Sequence, residues 1–390
     1  MHTGHLYLLE ELRRRLGAET AVVGVMSGDF VQRGDFALLR RQARARAAVE
    51  SGVNLVLELP LPWAVSSAER FAAGGVEILE ATGVVTRLAF GSECGDDAAL
   101  VRVAACLRTE AYRAALRRHL TGGASYAACR QAAAAEVLGE EDAALLAQPN
   151  NNLGVEYCKA LLNRGSGIRP LTVSRVGDAH DRERPGEGHP SATALRALIR
   201  AGEADRALEL MPPAMAAVYR AEAAVGRAPV FLETCERAVL ARLRSMTESD
   251  FAALDQGREG LYRRLYRASR TAPTLETLLA AAKTKRYAHA RLRRMALWAY
   301  LGLCPAEVPA QVPYLRVLAA DALGRELLAR MRKATRLPIL TKPGRVRRLD
   351  QAAQALFALE ARGADLYALA YPDLTAAAGG SLWREGPAML

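Results

Sequence analysis

The sequence predicts an α/β fold with a parallel sheet over residues 1–200, followed by an all-α, basic domain over residues 201–390. Three observations carry this expectation. Short apolar runs alternate with amphipathic stretches through the first half. The alternation stops near Ala201, beyond which helical segments follow one another between breaks at Pro212–Pro213, Pro273, Pro305–Pro309, Pro338 and Pro343. The densest clusters of Lys and Arg lie in that second half.

Taken in order, residues 21–26 (AVVGVM), 53–59 (VNLVLEL), 87–90 (RLAF) and 171–176 (LTVSRV) read as strands. Their near-continuous apolar character suits strands covered on both faces. Between them, residues 5–16, 36–51, 69–81 and 100–119 carry helical periodicity, which implies right-handed crossover units. After residue 201 no stretch reads as a convincing strand, and no internal repeat is visible.

Composition narrows the function classes. The chain has 390 residues, a formal charge of +11 and only 6% aromatics, so its cores must be built from Leu, Val and Ala. The basic excess speaks for a polyanionic partner, nucleic acid first, although a GC-rich genome would also enrich Arg and Ala. Cys94, Cys106, Cys129, Cys158, Cys235 and Cys304 form no Cys-Xaa-Xaa-Cys pair and no zinc pattern, and are expected as buried free thiols of a reducing cytoplasm. No apolar run approaches the ~20 residues that span a bilayer, so no membrane partner is expected.

Two constellations carry chemistry. His2-Thr3-Gly4-His5 opens a helix, placing two imidazoles on one side beside unpaired backbone N–H groups. Such a helix start favours phosphate, and Gly4 lets a nucleotide lie against the backbone. Taken alone, the same residues read as two incidental histidines or half of a metal site. Ser191, Thr193 and Arg196 stand where a second helix begins; two hydroxyls and a guanidinium there suit a di- or triphosphate. Taken alone, they read as an ordinary N-cap.

Together, a His-Xaa-Gly-His near the start of an α/β domain and a Ser-Xaa-Thr-Xaa-Xaa-Arg near its end resemble the nucleotidyltransferase superfamily. No P-loop or dinucleotide fingerprint competes for the nucleotide. Further segments follow in order: Met26-Ser27-Gly28-Asp29-Phe30-Val31-Gln32-Arg33-Gly34, Asn54 to Pro60, Phe90-Gly91-Ser92-Glu93, Pro149 to Tyr157, and Ser174-Arg175-Val176-Gly177. Lys283-Thr284-Lys285-Arg286-Tyr287, continuing to Arg291, Arg293 and Arg294, and Leu337-Pro338-Ile339-Leu340 complete the series. The series is similar to the tRNA(Met) cytidine acetate ligase family over nearly the whole chain.

The resemblance implies a Rossmann-like nucleotidyltransferase domain and an enzyme that joins ATP and acetate into acetyl-adenylate. The acetyl group then passes to the wobble cytidine of elongator tRNA(Met), giving N4-acetylcytidine. It further implies that His2 and His5 face the ATP phosphates, and that Gly91, Asn150 or its neighbour Asn151, and Arg175 contact the nucleotide. The Ser191–Arg196 loop would close on the triphosphate. Mg²⁺ is expected from the triphosphate chemistry, with no metal-binding residues assigned. The family carries a strand before its His-Xaa-Gly-His and more often Asn where Asp29 stands. The natural protein is therefore expected to be about a dozen residues longer, at ~3.3 Å per strand residue plus a turn. A sheet built without that strand is expected to carry a gap.

The RNA side is expected in the basic half. Residues 257–303 hold eleven Lys or Arg, from Arg258 to Arg294, against Glu259 and Glu276, with Tyr262, Tyr266, Tyr287 and Trp298 interleaved. Residues 331–348 add seven basic residues and no acid. Basic side chains track an RNA backbone while rings stack on unpaired bases; the plain alternative is a solvated helix face. Two other functions fit less of the chain. A small-molecule adenylyltransferase would turn over without tRNA, and a catalytically inactive tRNA-binding protein would bind tRNA and form no adenylate.

Overall fold

The computed structural model describes residues 1–122, 124–175, 190–254 and 260–390. The strands that position the site are β1 (Val23–Ser27), β2 (Leu55–Leu59), β3 (Arg87–Ser92), β4 (Arg169–Ser174), β5 (Leu315–Ala320), β6 (Ile339–Leu340) and β7 (Ala388–Met389). β1 and β2 pair in parallel from Val23↔Leu55 to Ser27↔Leu59. β3 and β4 form a separate parallel ladder from Arg87↔Arg169 to Ser92↔Ser174. The four strands expected from the first half are thus present and parallel, as alternating strand–helix units require.

The expectation of a strandless second half is corrected. β5 lies antiparallel against β2, with Leu55 opposite Ala320 and Leu57 opposite Val317. β6 and β7 then add in parallel to β5. The segment reads as helix because Leu, Arg and Ala are good helix formers. Tertiary burial overrides that propensity: all six residues of β5 are buried. Asp321 ends the strand by capping the next helix, its carboxylate accepting from the Gly324 amide at 2.7 Å.

The helices used below are α1 (Thr3–Leu16), α2 (Arg41–Glu50), α3 (Ala68–Ala81), α4 (Asp97–Cys106), α5 (Glu110–Leu120), α6 (Pro149–Arg164), α7 (Ala192–Arg200), α8 (His289–Leu301), α9 (Ala322–Ala334) and α10 (Gln351–Ala368). Two expected boundaries shift. The helix expected over 100–119 is two helices, α4 and α5, because Thr109 caps the second through the Tyr112 amide. The helix expected from residue 36 starts at Arg41, since Phe30–Val31 and Asp35–Phe36 form a short antiparallel hairpin.

That hairpin locks the two halves together. Phe30 and Phe36 are buried edge-to-face at 4.8 Å, and Phe36 stacks on Tyr300 of α8 and Tyr367 of α10. The Tyr367 hydroxyl donates to the Ala37 carbonyl at 2.8 Å. Trp298, fully buried on α8, donates its indole N–H to the Val65 carbonyl at 2.8 Å. Each such aromatic contributes roughly 1.5–3 kcal/mol by burial.

Among the described residues β1 pairs only with β2, and β3 only with β4. A cavity of about 480 Å³ lies between them, lined by Val23 and Val25 on one side, Leu88 and Ala89 on the other, and Leu9 and Leu12 of α1. Cys106, Cys129, Cys158 and Cys235 are buried as expected, whereas Cys94 and Cys304 are half-buried. No helix among the described residues is long and apolar enough to cross a membrane.

Candidate active site

The site begins at the start of α1. His2 is the N-cap, with extended backbone (φ −130°, ψ 170°). Its Nδ1 accepts from the Gly4 amide at 3.2 Å, and the His5 Nδ1 accepts from the His2 amide at 3.2 Å. This is a capping box in which two imidazoles replace the usual hydroxyl and carboxylate. Because both Nδ1 atoms accept, either ring in its neutral form carries its proton on Nε2. The rings lie 4.0 Å apart, giving two Nε2–H donors at the positive end of one helix. The Thr3 hydroxyl beside them is buried without a protein partner among the described residues.

His5 stands exposed on the first turn of α1; desolvation by neighbouring protein atoms, and after it the charges of His2, the Met1 amine, Arg175 and Arg44, lower its imidazole pKa well below the ordinary value. His5 is therefore neutral at physiological pH, a hydrogen-bond donor rather than a cation. Met1 packs against the cluster containing Leu39, Ala43, Leu195 and Leu198, which seats the start of α1 against α2 and α7.

The second part of the site lies at the C-terminal ends of β3 and β4, where parallel sheets place ligands. A Cβ on Gly91 would stand 3.3 Å from the Arg175 Cγ, so a larger residue there would press on that arginine's side chain. Arg175 is exposed and anchored by its own amide to the Ser92 carbonyl at 2.9 Å. At the start of α6 the Glu93 carboxylate accepts from the amides of Asn150 (3.1 Å) and Asn151 (2.6 Å) and from the Asn150 side chain (2.7 Å). The Asn151 side-chain oxygen accepts in return from the amides of Glu93 (2.9 Å) and Cys94 (3.1 Å). Asn151 is fully buried as a latch between strand end and helix, while Asn150 stands half-buried at the rim.

The third motif is committed to local structure. Ser191, nearly fully buried, caps α7 by accepting from the Ala194 amide at 3.0 Å, and Thr193 is half-buried in the first turn. Arg196 donates to the Phe36 carbonyl (2.9 Å) and Asp35 (3.2 Å), with the Phe231 ring below it at 5.4 Å. The geometry ties this arginine to the hairpin. Val176, the last residue of the fourth expected strand, and Gly177 after it lie outside the described residues.

Sequence reasoning missed the arginines of α2. Arg41 binds Asp29 through its backbone amide and its guanidinium, and reaches Glu58 at 2.7 Å. All three groups are buried, and Arg316 of β5 joins Glu58 at 3.2 Å. Arg44 donates to the Gly28 carbonyl at 2.6 Å. The spacing of Arg41 and Arg44, three apart on one helix face, was the available signal. Among the described residues no three His, Cys, Asp or Glu side chains gather as a metal seat.

The basic half divides into structural and exposed cations. Arg264 donates to the Ala281 and Ala282 carbonyls, and Arg270 to the Leu243 and Met246 carbonyls, so both close helix ends. Tyr287 and Trp298 are core residues, which corrects their reading as rings open to bases; Arg291 already covers the Tyr287 ring at 5.4 Å. Arg293 and Arg294 are half-buried where α8 meets Gly34, whose Cβ would stand 2.5 Å from the Arg294 amide. Arg294 donates to the Gln32 carbonyl at 3.2 Å. Burial and Arg291 lower its pKa to about 10. Lys285 and Arg286 are exposed, and Lys283 caps the Thr284 and Tyr287 carbonyls at 2.7 Å. Arg258 and Glu259 lie outside the described residues.

Residues 1–380 match the family described as HIGH Nucleotidyl Transferase. The tRNA(Met) cytidine acetate ligase of Fervidobacterium nodosum is 36% identical over 87% of this chain and 81% of its own. That of Syntrophomonas wolfei is 34% identical over 95% of this chain and 92% of its own. The crystal structure of apo Thermotoga maritima TmcAL superposes with a TM-score of 0.95 at 32% identity, covering 100% of this chain and 97% of that one. The same protein bound with alpha-thio ATP gives 0.93 at 33% identity, with the same coverage.

Proposed function

Because the chain belongs to the HIGH nucleotidyltransferase family, and within it to the tRNA(Met) cytidine acetate ligases, we propose that it acetylates elongator tRNA(Met) with ATP and acetate. The observation that carries this reading is the convergence at one end of the sheet of a His pair, an orphaned Thr3 hydroxyl and the Gly91–Arg175 contact. All suit a nucleoside triphosphate.

In the proposed reaction an acetate oxygen attacks the ATP α-phosphorus and pyrophosphate leaves. The exocyclic amine of the wobble cytidine then attacks the acetyl carbonyl, expelling AMP and losing a proton. The Nε2–H groups of His2 and His5 donate to phosphate oxygens as charge moves onto the leaving group. Arg175, Gly91 and Asn150 hold the nucleotide, Asn151 fixes the loop that presents them, and Ser191, Thr193 and Arg196 shape the α7 side. Mg²⁺ would accompany ATP as its counter-ion, held by the phosphates, since the described residues gather no metal-binding cluster. Residues 1–200 serve ATP, and the basic surface of residues 201–390 serves tRNA through Lys283, Lys285, Arg286, Arg291, Arg293 and Arg294, with Tyr287 supporting Arg291 from the core. The acceptor cytidine must leave its stack to reach the adenylate. Such an enzyme works in the cytoplasm, where its tRNA and ATP are.

The test is acetylation of elongator tRNA(Met) transcript with ATP and labelled acetate. Label on the tRNA is the expected result. Turnover without tRNA would point to a small-molecule adenylyltransferase, and tRNA binding with no adenylate to an inactive binding protein.

Two subsidiary outcomes are expected. Saturation with a non-hydrolysable ATP analogue should raise the His5 pKa, since nearby phosphate charge favours the imidazolium. A histidine-resolved NMR titration reads the shift; an unmoved His5 would place the phosphates elsewhere. Gly91→Val should weaken ATP-analogue binding about tenfold or more by displacing one charge-assisted contact from Arg175, checked by calorimetry beside an unchanged melting curve.

A further inference from the structure

With Tyr287 and Trp298 turned into the core, another ring stands open among cations. Trp383 is 39% exposed, whereas the other two tryptophans, Trp63 and Trp298, are 4% and 1% exposed. It lies on a short helix (Ser381–Arg384), held by its buried neighbour Leu382 and by its own edge-to-face contact with Phe357 of α10 at 4.6 Å. The Arg347 guanidinium lies over its ring, 5.4 Å from the centroid. Arg347 belongs to the 3-10 turn Pro343–Arg348, which follows β6 and packs on both α10 and the short helix. Lys342, Arg345 and Arg348 of the same segment are exposed beside it.

These four cations have no carboxylate within ion-pair distance among the described residues. Exposed arginines elsewhere do: Arg117 meets Glu110 at 2.7 Å, Arg118 meets Glu136 at 2.8 Å and Arg206 meets Glu203 at 2.9 Å. The acids nearest in sequence are engaged, Glu385 by Arg40 at 2.7 Å and Asp350 in capping α10 through the Ala353 amide at 2.8 Å. A run of charge alone is usually a solvated face; here the ring decides. An acidic peptide would answer the cations but bring no flat partner for the indole, whereas single-stranded RNA brings phosphates and unpaired bases together. The Glu385–Arg40 pair also ties this surface to the start of α2, where the Arg41 amide meets Asp29, two residues beyond β1. We propose that Trp383 and Arg347 form a stacking step for an unpaired base of the RNA substrate, with Lys342, Arg345 and Arg348 on the flanking phosphates. This rests on the tRNA reading above and adds to it a contact apart from residues 283–294.

The experiment uses the full chain and its own fluorescence. Because Trp63 and Trp298 are buried, the emission that acrylamide quenches belongs to Trp383, and Trp383→Phe should abolish that fraction. Elongator tRNA(Met) transcript should shield Trp383 from acrylamide and quench it by stacking; a blunt RNA duplex should do neither. Trp383→Ala should weaken tRNA binding about 5- to 100-fold, the worth of one stacked base, while Trp383→Phe, which keeps a ring, should stay closer to wild type. Replacing Arg345 and Arg348 together by alanine should reduce the slope of log affinity against log salt by about 1.5. ATP-analogue affinity and melting curves should stay unchanged in all variants. Trp383 left open to acrylamide in the tRNA complex, equal shielding by duplex, or Trp383→Ala binding tRNA within twofold of wild type would each overturn the proposal alone. A loss of tRNA binding in Trp383→Ala matched by a lowered melting curve and by an equal loss in Trp383→Phe would make the ring structural and overturn it too. A wild-type chain that binds no tRNA would sink the tRNA reading and this proposal together.

Discussion

Truncating Arg41 to alanine is expected to cost the fold about 3–5 kcal/mol, the penalty for breaking a buried ion pair from one side. The guanidinium stands between Asp29 and Glu58, all three nearly inaccessible to water. Removing it leaves two carboxylates buried near each other, with Arg316 as the remaining cation at 3.2 Å from Glu58. Glu360 already shows the strain of that region: burial and Glu58 raise its pKa to about 7. Urea unfolding reads the loss as a lower midpoint. Adding Asp29→Asn to Arg41→Ala should recover part of it, since the second change removes a stranded charge. A shift below about 1 kcal/mol, the range of an exposed ion pair, would show that water reaches the network.

The second large effect is on rate. His5→Ala is expected to lower the turnover of acetate-dependent ATP–pyrophosphate exchange by about 10²–10³, as loss of one preorganised donor to a developing anion does. The imidazole sits on the first turn of α1 and its Nδ1 accepts only the His2 amide, so truncation should leave the melting temperature nearly unchanged. His5→Gln, which keeps a side-chain N–H, should retain more activity than His5→Ala. The loss should fall on kcat rather than on the KM for ATP, because the donor matters most as the leaving group gains charge. A loss of less than about threefold would remove His5 from the phosphate chemistry.

How far the sequence foretold these features follows from what each depends on. The four strands of the first half were legible because buried parallel strands are written as continuous apolar runs. β5 was not, since Leu315–Ala320 becomes a strand only through β2 on one side and β6 and β7 on the other. The His pair, Gly91 and Arg175 stood out as motifs, whereas the latch that Asn151 makes with the Glu93 loop depends on residues 58 apart and shows only in the fold. Asp29 read as a departure from a family pattern; its buried pairing with Arg41 links residues 12 apart, beyond what local spacing reports. Tyr287 and Trp298 read as rings among cations, and only tertiary packing reveals that they point inward.

The placement of β5 also governs how the chain can be made. β2 leaves the ribosome about 250 residues before the strand that covers its free edge. At roughly 5–20 residues per second, that edge waits on the order of 10–50 s for its neighbour. During this interval a strand that is apolar apart from Glu58 stands open along one side, a template for pairing with another nascent chain. The nascent chain therefore needs a chaperone or a provisional partner for β2, and synthesis slowed between residues 60 and 315 should raise the insoluble fraction more than slowing after residue 320.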